Sequence, residues 1–396
     1  MLALEGIKIL DLSRGYPGAF GTWILGDLGA DVLNIEIPPR AAKQPQAVPS
    51  PTGEEERRSA IYRVINRNKK SIWLNLRAEE GRNIFYQLAE KTDVIVEGFR
   101  PGVVKRLGVD YETISKINPR VIYCSMSGYG QDGPYSAFPG HDINYISVGG
   151  AINMIGEAGS RPVAPLNLVA DLAGAALYAT IGILIALIAR DKTGKGQFID
   201  ISYTDGVISL IASIAARYFQ SGVIPKRGQT SQGIAYAGYD VYDTKDGKFI
   251  TIGCSEFTLW ENLCRAIGKE DFIPFHRPEG KKAQEISNYL KQLFLTKTRD
   301  EWFDLLSPKD VPIAKVYSLD EVFTDPQVLH RKMLLELEHP TLGKVKQVGI
   351  AHKLSDTPGE IRSLPPLPGE HTKEILSSLG YNEQRINELR QGGVIA

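Results

Sequence analysis

Two side chains in the sequence are of the type and setting that proton-transfer chemistry needs, and a third joins them further on. His141 stands in Gly140-His141-Asp142-Ile143-Asn144-Tyr145, and Asp171 follows Pro165-Leu166-Asn167-Leu168-Val169-Ala170. Histidine and carboxylate side chains take up and release protons near neutral pH when their surroundings tune them. The loop holding His141 opens with Ser127-Gly128-Tyr129-Gly130-Gln131-Asp132-Gly133-Pro134. It is too polar and glycine-rich for core packing, and Asp142 follows the histidine as a carboxylate able to orient the ring or bind a ligand. A lone histidine in such a loop also reads as a hydrogen-bonded structural residue. Asp171 precedes a long apolar helix, so it reads as an ordinary N-cap, as a carboxylate kept ionised by the helix N-terminus and ready to act as a base, or as both. Glu256, in Gly253-Cys254-Ser255-Glu256-Phe257, sits just past a strand and is unremarkable alone.

A second set suits an anion. Arg63, Arg67, Lys69, Lys70, Arg77, Arg100, Lys105 and Arg106 cluster in a chain whose Lys plus Arg and Asp plus Glu both number 46. Arg100 and Arg106 follow the strand Val94 to Glu97, which places them at the carboxyl edge of a sheet, where doubly wound folds bind ligands. Arginine there can grip a phosphate with two donors, and the bland alternative is a solvated basic face.

The elements that must hold these residues follow from periodicity. Gly6 to Leu12 alternates as a strand, a glycine-rich turn leads into a helix over Phe20 to Leu28, and Asp31 to Glu36 is a second strand. Asn68 to Leu76, Val94 to Glu97, Val121 to Met126 and Gly196 to Ile201 read as further strands, with helices over Glu79 to Lys91, Tyr111 to Asn118 and Asp205 to Ser221. Such alternation predicts an α/β fold with a large, doubly wound, Rossmann-like parallel sheet. Gly15, Gly18 and Gly21 imitate a dinucleotide fingerprint with Glu36 as its ribose-binding acid, but the spacing is wrong and Pro17 stands in the turn. Packing of helix on strand explains those glycines better.

Pro225, Gly228, Gly233 and Gly238 mark a linker, so the expected organisation is a large domain over 1–222 and a linker and smaller α/β domain over 223–335. The C-terminal segment 336–396 is expected to return to the large domain through Leu364-Pro365-Pro366-Leu367-Pro368-Gly369 and two terminal helices. Balanced charge argues against nucleic acid or an anionic membrane as partner. Cys124, Cys254 and Cys264 are odd in number and widely spaced, against a disulfide framework or a zinc site, so no metal and a reducing cytoplasm are expected. The uncharged run Leu172 to Ala189 is at the lower limit for a membrane span and is read as a helix of a soluble core. No secretion signal is visible at the start of the sequence.

Gly140 to Tyr145 and Pro165 to Asp171 resemble the family III CoA-transferase superfamily, and within it the α-methylacyl-CoA racemases. Other landmarks shared with it are Ile24 to Val32, Glu97 to Gly102, Gly194 to Gln197, and Gly369-Glu370-His371 with Leu379-Gly380-Tyr381, so the resemblance covers nearly the whole chain. Most of these mark the superfamily. Gly-His-Asp at 140–142 resembles the racemases, whereas the transferases usually carry another residue before the aspartate. The resemblance implies His141 and Asp171 as the acid/base pair and Glu256 as the carboxylate pairing with the histidine. It assigns coenzyme A to Leu74, Asn75, Leu76, Arg77, Gly98, Phe99, Arg100, Arg106, Gly140, Asp142 and Tyr145. Ile37 stands where racemases tend to have a basic residue for the adenosine end, which points instead to Arg40 or Arg67. It further implies an interlocked homodimer that brings Glu256 to His141 in trans, an acyl-CoA substrate, and no cofactor beyond its CoA moiety. The implied activity is inversion of the α-carbon of a 2-methylacyl-CoA, with backbone N–H groups of the Gly140 loop or of the helix start at Asp171 as enolate donors. CoA transfer between carboxylic acids through Asp171 is the rival, and the acyl chain is left open.

Overall fold

The computed structural model describes residues 1–13, 15–39, 60–228, 236–339 and 343–396. Arg40 and Gly233 lie outside the described residues. The chain divides into two compact units: unit 1 comprises Met1–Ala151, Ala164–Leu210 and Lys332–Ala396, and unit 2 comprises Ile152–Val163 and Ile211–Arg331.

Unit 1 is built on six parallel strands, β1 (Lys8–Asp11), β2 (Asp31–Glu36), β3 (Lys69–Trp73), β4 (Val94–Glu97), β5 (Ile122–Ser127) and β6 (Gln197–Ser202), in the order β3-β2-β1-β4-β5-β6. That is the doubly wound order, and the strand order reverses between β1 and β4. Alternate residues feed two cores. Leu10, Leu33, Ile72 and Ile95 pack with Phe85 and Leu376 on one face, while Ile9, Val32, Val94 and Cys124 pack with Leu25, Ala179 and Ile183 on the other. The helix Tyr16–Asp27 starts with Pro at its first turn, and a Cβ on Gly18 would stand 2.2 Å from Ser13 Cβ, so this glycine serves close packing of the helix on the turn that follows β1.

Three expectations shift. The helix expected over Asp205 to Ser221 is two, Tyr203–Leu210 and Ala212–Ser221, because Ile211 (φ −97°, ψ 17°) leaves helical geometry. The first buries Thr204, Gly206 and Val207 and the second buries no residue, so the chain changes units at Leu210 instead of Gly222. The apolar run after Asp171 is not enclosed all round. Its helix Tyr178–Thr193 buries Ala179, Ile183, Ala186 and Leu187, but Ile181, Ile185 and Ile188 on the opposite face are 51, 60 and 59% exposed.

The C-terminal segment of unit 1 is fastened to the sheet by backbone groups. Asn68 Oδ1 accepts from the N–H of Arg362 and Ser363, His371 N–H donates to Ser71 O, and Asn75 N–H donates to Val394 O. In unit 2 an antiparallel sheet of β7 (Tyr239–Asp243), β8 (Phe249–Gly253) and β9 (Ile313–Lys315) packs on helices around Trp260, Leu290, Phe294 and Trp302. The pair β10 (Leu334–His339) and β11 (Gly343–Val348) is antiparallel.

Candidate active site

His141 is the N-cap of the short helix Asp142–Val148 and is exposed. Asp142, Tyr145 and Ile146 are buried on one side of that helix, as the spacing of three and four residues requires. His141 and Asn144 are left on the open side, and His141 N–H donates to Asn144 Oδ1 at 3.0 Å. They line a cavity of about 490 Å³ together with Gly98, Phe99, Arg100 and Tyr145. The cavity lies past the carboxyl ends of β4 and β5, beside the point where strand order reverses.

Tyr145 forms the inner wall. Its hydroxyl donates to Gly140 O, and its ring meets those of Tyr129 and Tyr203 edge-on, each at 5.1 Å. Burial pushes the phenol up to about 12, so it stays a neutral donor. A Cβ on Gly140 would stand 2.6 Å from this ring and one on Gly128 2.1 Å, so both must be glycine for the loops to close around it.

Asp171 is not an N-cap. Asn167 stands at the N-cap position of ten residues of π-helix, Leu168–Leu177, without a side-chain capping bond, and Asp171 lies in the first turn. π-Helical turns are rare and gather at functional sites. Just ahead, Leu166 holds a left-handed backbone (φ 58°), a strained position for a leucine. The amide N–H groups of Ala170 and Asp171 both donate to Asp142 Oδ2, at 3.0 and 2.9 Å. Asp142 therefore joins the histidine loop to the aspartate turn. It is 7% exposed, so its carboxylate faces these amides and not a ligand, and the two N–H groups are spent and unavailable to an enolate oxygen. The Asp171 carboxyl is raised to about 6, first by burial and then by the charge of Asp142, while a hydrogen bond from Asn167 and the charge of His141 pull it down. A carboxyl so placed changes protonation just below neutral pH.

The remaining expected residues separate by burial. Leu74 and Leu76 belong to the core, and the N–H of Leu74 donates to Glu36 O, so neither leucine side chain meets a ligand. Asn75 donates to Gly393 O and accepts from Arg77 N–H. Arg77 lines a separate cavity of about 600 Å³ with Ser13, Tyr16, Asn34 and Ile37 at the ends of β1 and β2. Arg100 and Arg106 are exposed, on the loop and short helix after β4. Arg67 is a correction: it is fully buried, its guanidinium bound twice to Asp27 (2.6 and 3.0 Å) and to Gln347 Oε1 and Val348 O, so four of its five donors are spent inside the core and it is out of reach of adenosine. Glu256 is carried by unit 2, exposed at the N-cap of the helix Phe257–Ala266.

Glu97 is given no role by the sequence reading, which uses it as a strand end and as the first residue of a family landmark. It is 1% exposed, accepts from Phe99 N–H at 2.7 Å and is bonded to Ser125 Oγ. Burial raises its carboxyl to about 7. An acidic residue closing a fully buried central strand was the signal available.

Comparison with known proteins agrees with this architecture. The model for CoA-transferase family III matches residues 4–372, and the chain belongs to that family. Human succinyl-CoA:glutarate CoA-transferase is 36% identical over 99% of this chain and 90% of its own. Human alpha-methylacyl-CoA racemase is 32% identical over 100% of this chain and 98% of its own. A CAIB/BAIF family protein from Brucella suis has a crystal structure that superposes with a TM-score of 0.78 at 30% identity, covering 96% of this chain and 99% of that one.

Proposed function

We propose that this family III CoA-transferase member is an α-methylacyl-CoA racemase that inverts the α-carbon of a 2-methylacyl-CoA by proton transfer. The observation that carries the reading is the Asp171 carboxyl, raised to about 6 and lying within the field of His141, so that it holds or releases a proton just below neutral pH. A thioester acidifies its α-carbon. One of the pair removes that proton and leaves an enolate, and the other delivers its own proton to the opposite face. The pair ends with protonation states exchanged, as an enzyme working in both directions requires. Tyr145, Gly140 and the Gly98–Arg100 loop hold the pantetheine end, and the cavity beside Arg77 suits the nucleotide end. The same reading has a cytoplasmic homodimer in which Glu256 of one copy serves His141 of the other, with no cofactor beyond the CoA moiety. The exposed stripe Ile181, Ile185 and Ile188 supports such an association.

The test is deuterium uptake at the α-carbon. Incubated with 2-methyldecanoyl-CoA in D₂O, the protein is expected to exchange the α-proton and lose that ability in His141→Ala and Asp171→Asn. A substrate recovered without deuterium refutes racemisation.

A second reading is CoA transfer between two carboxylic acids with Asp171 as nucleophile, and it draws support from the 36% identity to a CoA-transferase. A carboxyl raised to about 6 is still mostly ionised at neutral pH and more basic than an ordinary one, so its protonation suits a nucleophile as well as a base. Trapping of an Asp171 acyl hydroxamate by hydroxylamine during turnover is the result that would favour transfer.

A further inference from the structure

Glu97, Ser125 and Asp200 stand side by side across the carboxyl edge of the sheet, since Glu97 pairs with Ser125 and Ser125 with Asp200 in the registers of β4, β5 and β6. The row is linked by hydrogen bonds. Phe99 N–H donates to Glu97 Oε2 at 2.7 Å, Ser125 Oγ bonds Glu97 Oε1, Gln131 Nε2 donates to Ser125 Oγ at 2.9 Å, and Gln131 N–H donates to Asp200 Oδ2 at 3.0 Å. Two of the segments tied together line the cavity: Gly98, Phe99 and Arg100 after β4, and Ser127 and Gly128 at the end of β5.

We infer that Glu97 is a positioning residue of the acyl-CoA site, fastening the Gly98–Arg100 wall to the loop after β5 so that Arg100 and the Phe99 backbone meet the ligand in one fixed geometry. The inference rests on this cavity being the acyl-CoA site, and it holds whether the chemistry there is proton transfer or CoA transfer.

The groups facing Glu97 make its charge matter. They are Ser125, Tyr123 and Cys124 on β5, Asp200 on β6 and Tyr203 just beyond it, and none of them is basic. Burial, and after it the charge of Asp200, raises the Glu97 carboxyl to about 7 against the pull of the bonds from Ser125 and Phe99, and none of these facing groups supplies a counter-ion. Below that pH the group is neutral and donates to Ser125 while accepting from Phe99. Above it the site floor gains a negative charge beneath a polyanionic ligand.

The test measures the dissociation constant of 2-methyldecanoyl-CoA by calorimetry from pH 6 to pH 8.5 in the full chain and in Glu97→Gln and Glu97→Ala. The glutamine keeps an acceptor for Phe99 N–H and a donor for Ser125, so it is expected to bind within about threefold of wild type at pH 6. Affinity of the wild type should fall as pH rises through 7, and that fall should be absent in Glu97→Gln; ionisation of the ligand's own phosphate is common to both. At pH 6 Glu97→Ala should bind about tenfold more weakly, since it loses the bonds to Phe99 N–H and to Ser125 that fix the wall. A folded Glu97→Ala variant that binds like wild type overturns the inference, as does a glutamine variant with the wild-type pH dependence. If the alanine variant fails to fold, the glutamine pH profile decides alone. Wild-type protein that binds no acyl-CoA overturns the acyl-CoA reading of the cavity, a distinguishable failure.

Discussion

Replacing Asp142 by asparagine separates its two effects on Asp171. The amide oxygen still accepts from Ala170 and Asp171 N–H, so the turn is retained, while the negative charge is removed. The Asp171 carboxyl is raised from 3.8 to about 6, roughly two pH units, with burial the larger cause and Asp142 the second. That rise is net of the pull of Asn167 and His141, and the share of Asp142, smaller than that of burial, is on the order of one unit, or about 1 kcal/mol of differential stabilisation. In the direction where Asp171 removes the α-proton it must be ionised, so the rate falls on its acid limb as pH drops through 6. Asp142→Asn is expected to move that limb down by on the order of half a unit to one unit. The assay is loss of the α-proton signal by NMR in deuterated buffer, with kcat followed from pH 4.5 to pH 8 and folding checked by circular dichroism at each pH. A folded variant whose acid limb stays in place would refute the assignment of that limb to Asp171 or of its field to Asp142.

Asp171→Asn should abolish exchange yet stabilise the fold at pH 7.5. A carboxyl raised in the native state penalises folding once it ionises, above about pH 6, and the penalty fades as pH falls toward 3.8. Asp171 is only partly buried, so solvent screening reduces the gain to roughly 1 kcal/mol, seen as a Tm higher by a few degrees at pH 7.5 and unchanged at pH 4. Gly140→Ala would drive a methyl into the Tyr145 ring and should raise KM while costing about 1–3 kcal/mol in urea unfolding. Arg67→Met strands Asp27 in the core and should cost about 3–5 kcal/mol, with KM for the CoA ester unchanged in whatever protein folds. Arg100→Ala should raise KM and weaken its dependence on salt, which titration of KM against NaCl measures.

Much of unit 1 was legible because its signals are local. The strand over Val94 to Glu97 is found where alternation and flanking turns put it, and five other strands lie within three residues of their expected ends. The helix break at Ile211 was not legible, since neither proline nor glycine stands there and the break coincides with the passage from one unit to the other. Arg67 was misread for a related reason. On a list of residues it is one more cation beside Lys69 and Lys70, and only the approach of Asp27, Gln347 and Val348 from distant segments shows its charge to be consumed.

What the sequence by itself determined is the inventory: a histidine in a polar loop, an aspartate ahead of an apolar helix, arginines after a central strand, and the alternation that builds a parallel sheet. Residue type and short-range period carry that information. Only the tertiary structure decided that Asp142 turns inward to hold the Asp171 amides, that Asp171 is raised to about 6, and that Glu97, Ser125 and Asp200 form one row. Those properties depend on strand register and on burial by segments far apart in the chain, and it is burial that sets the charge state of a carboxyl.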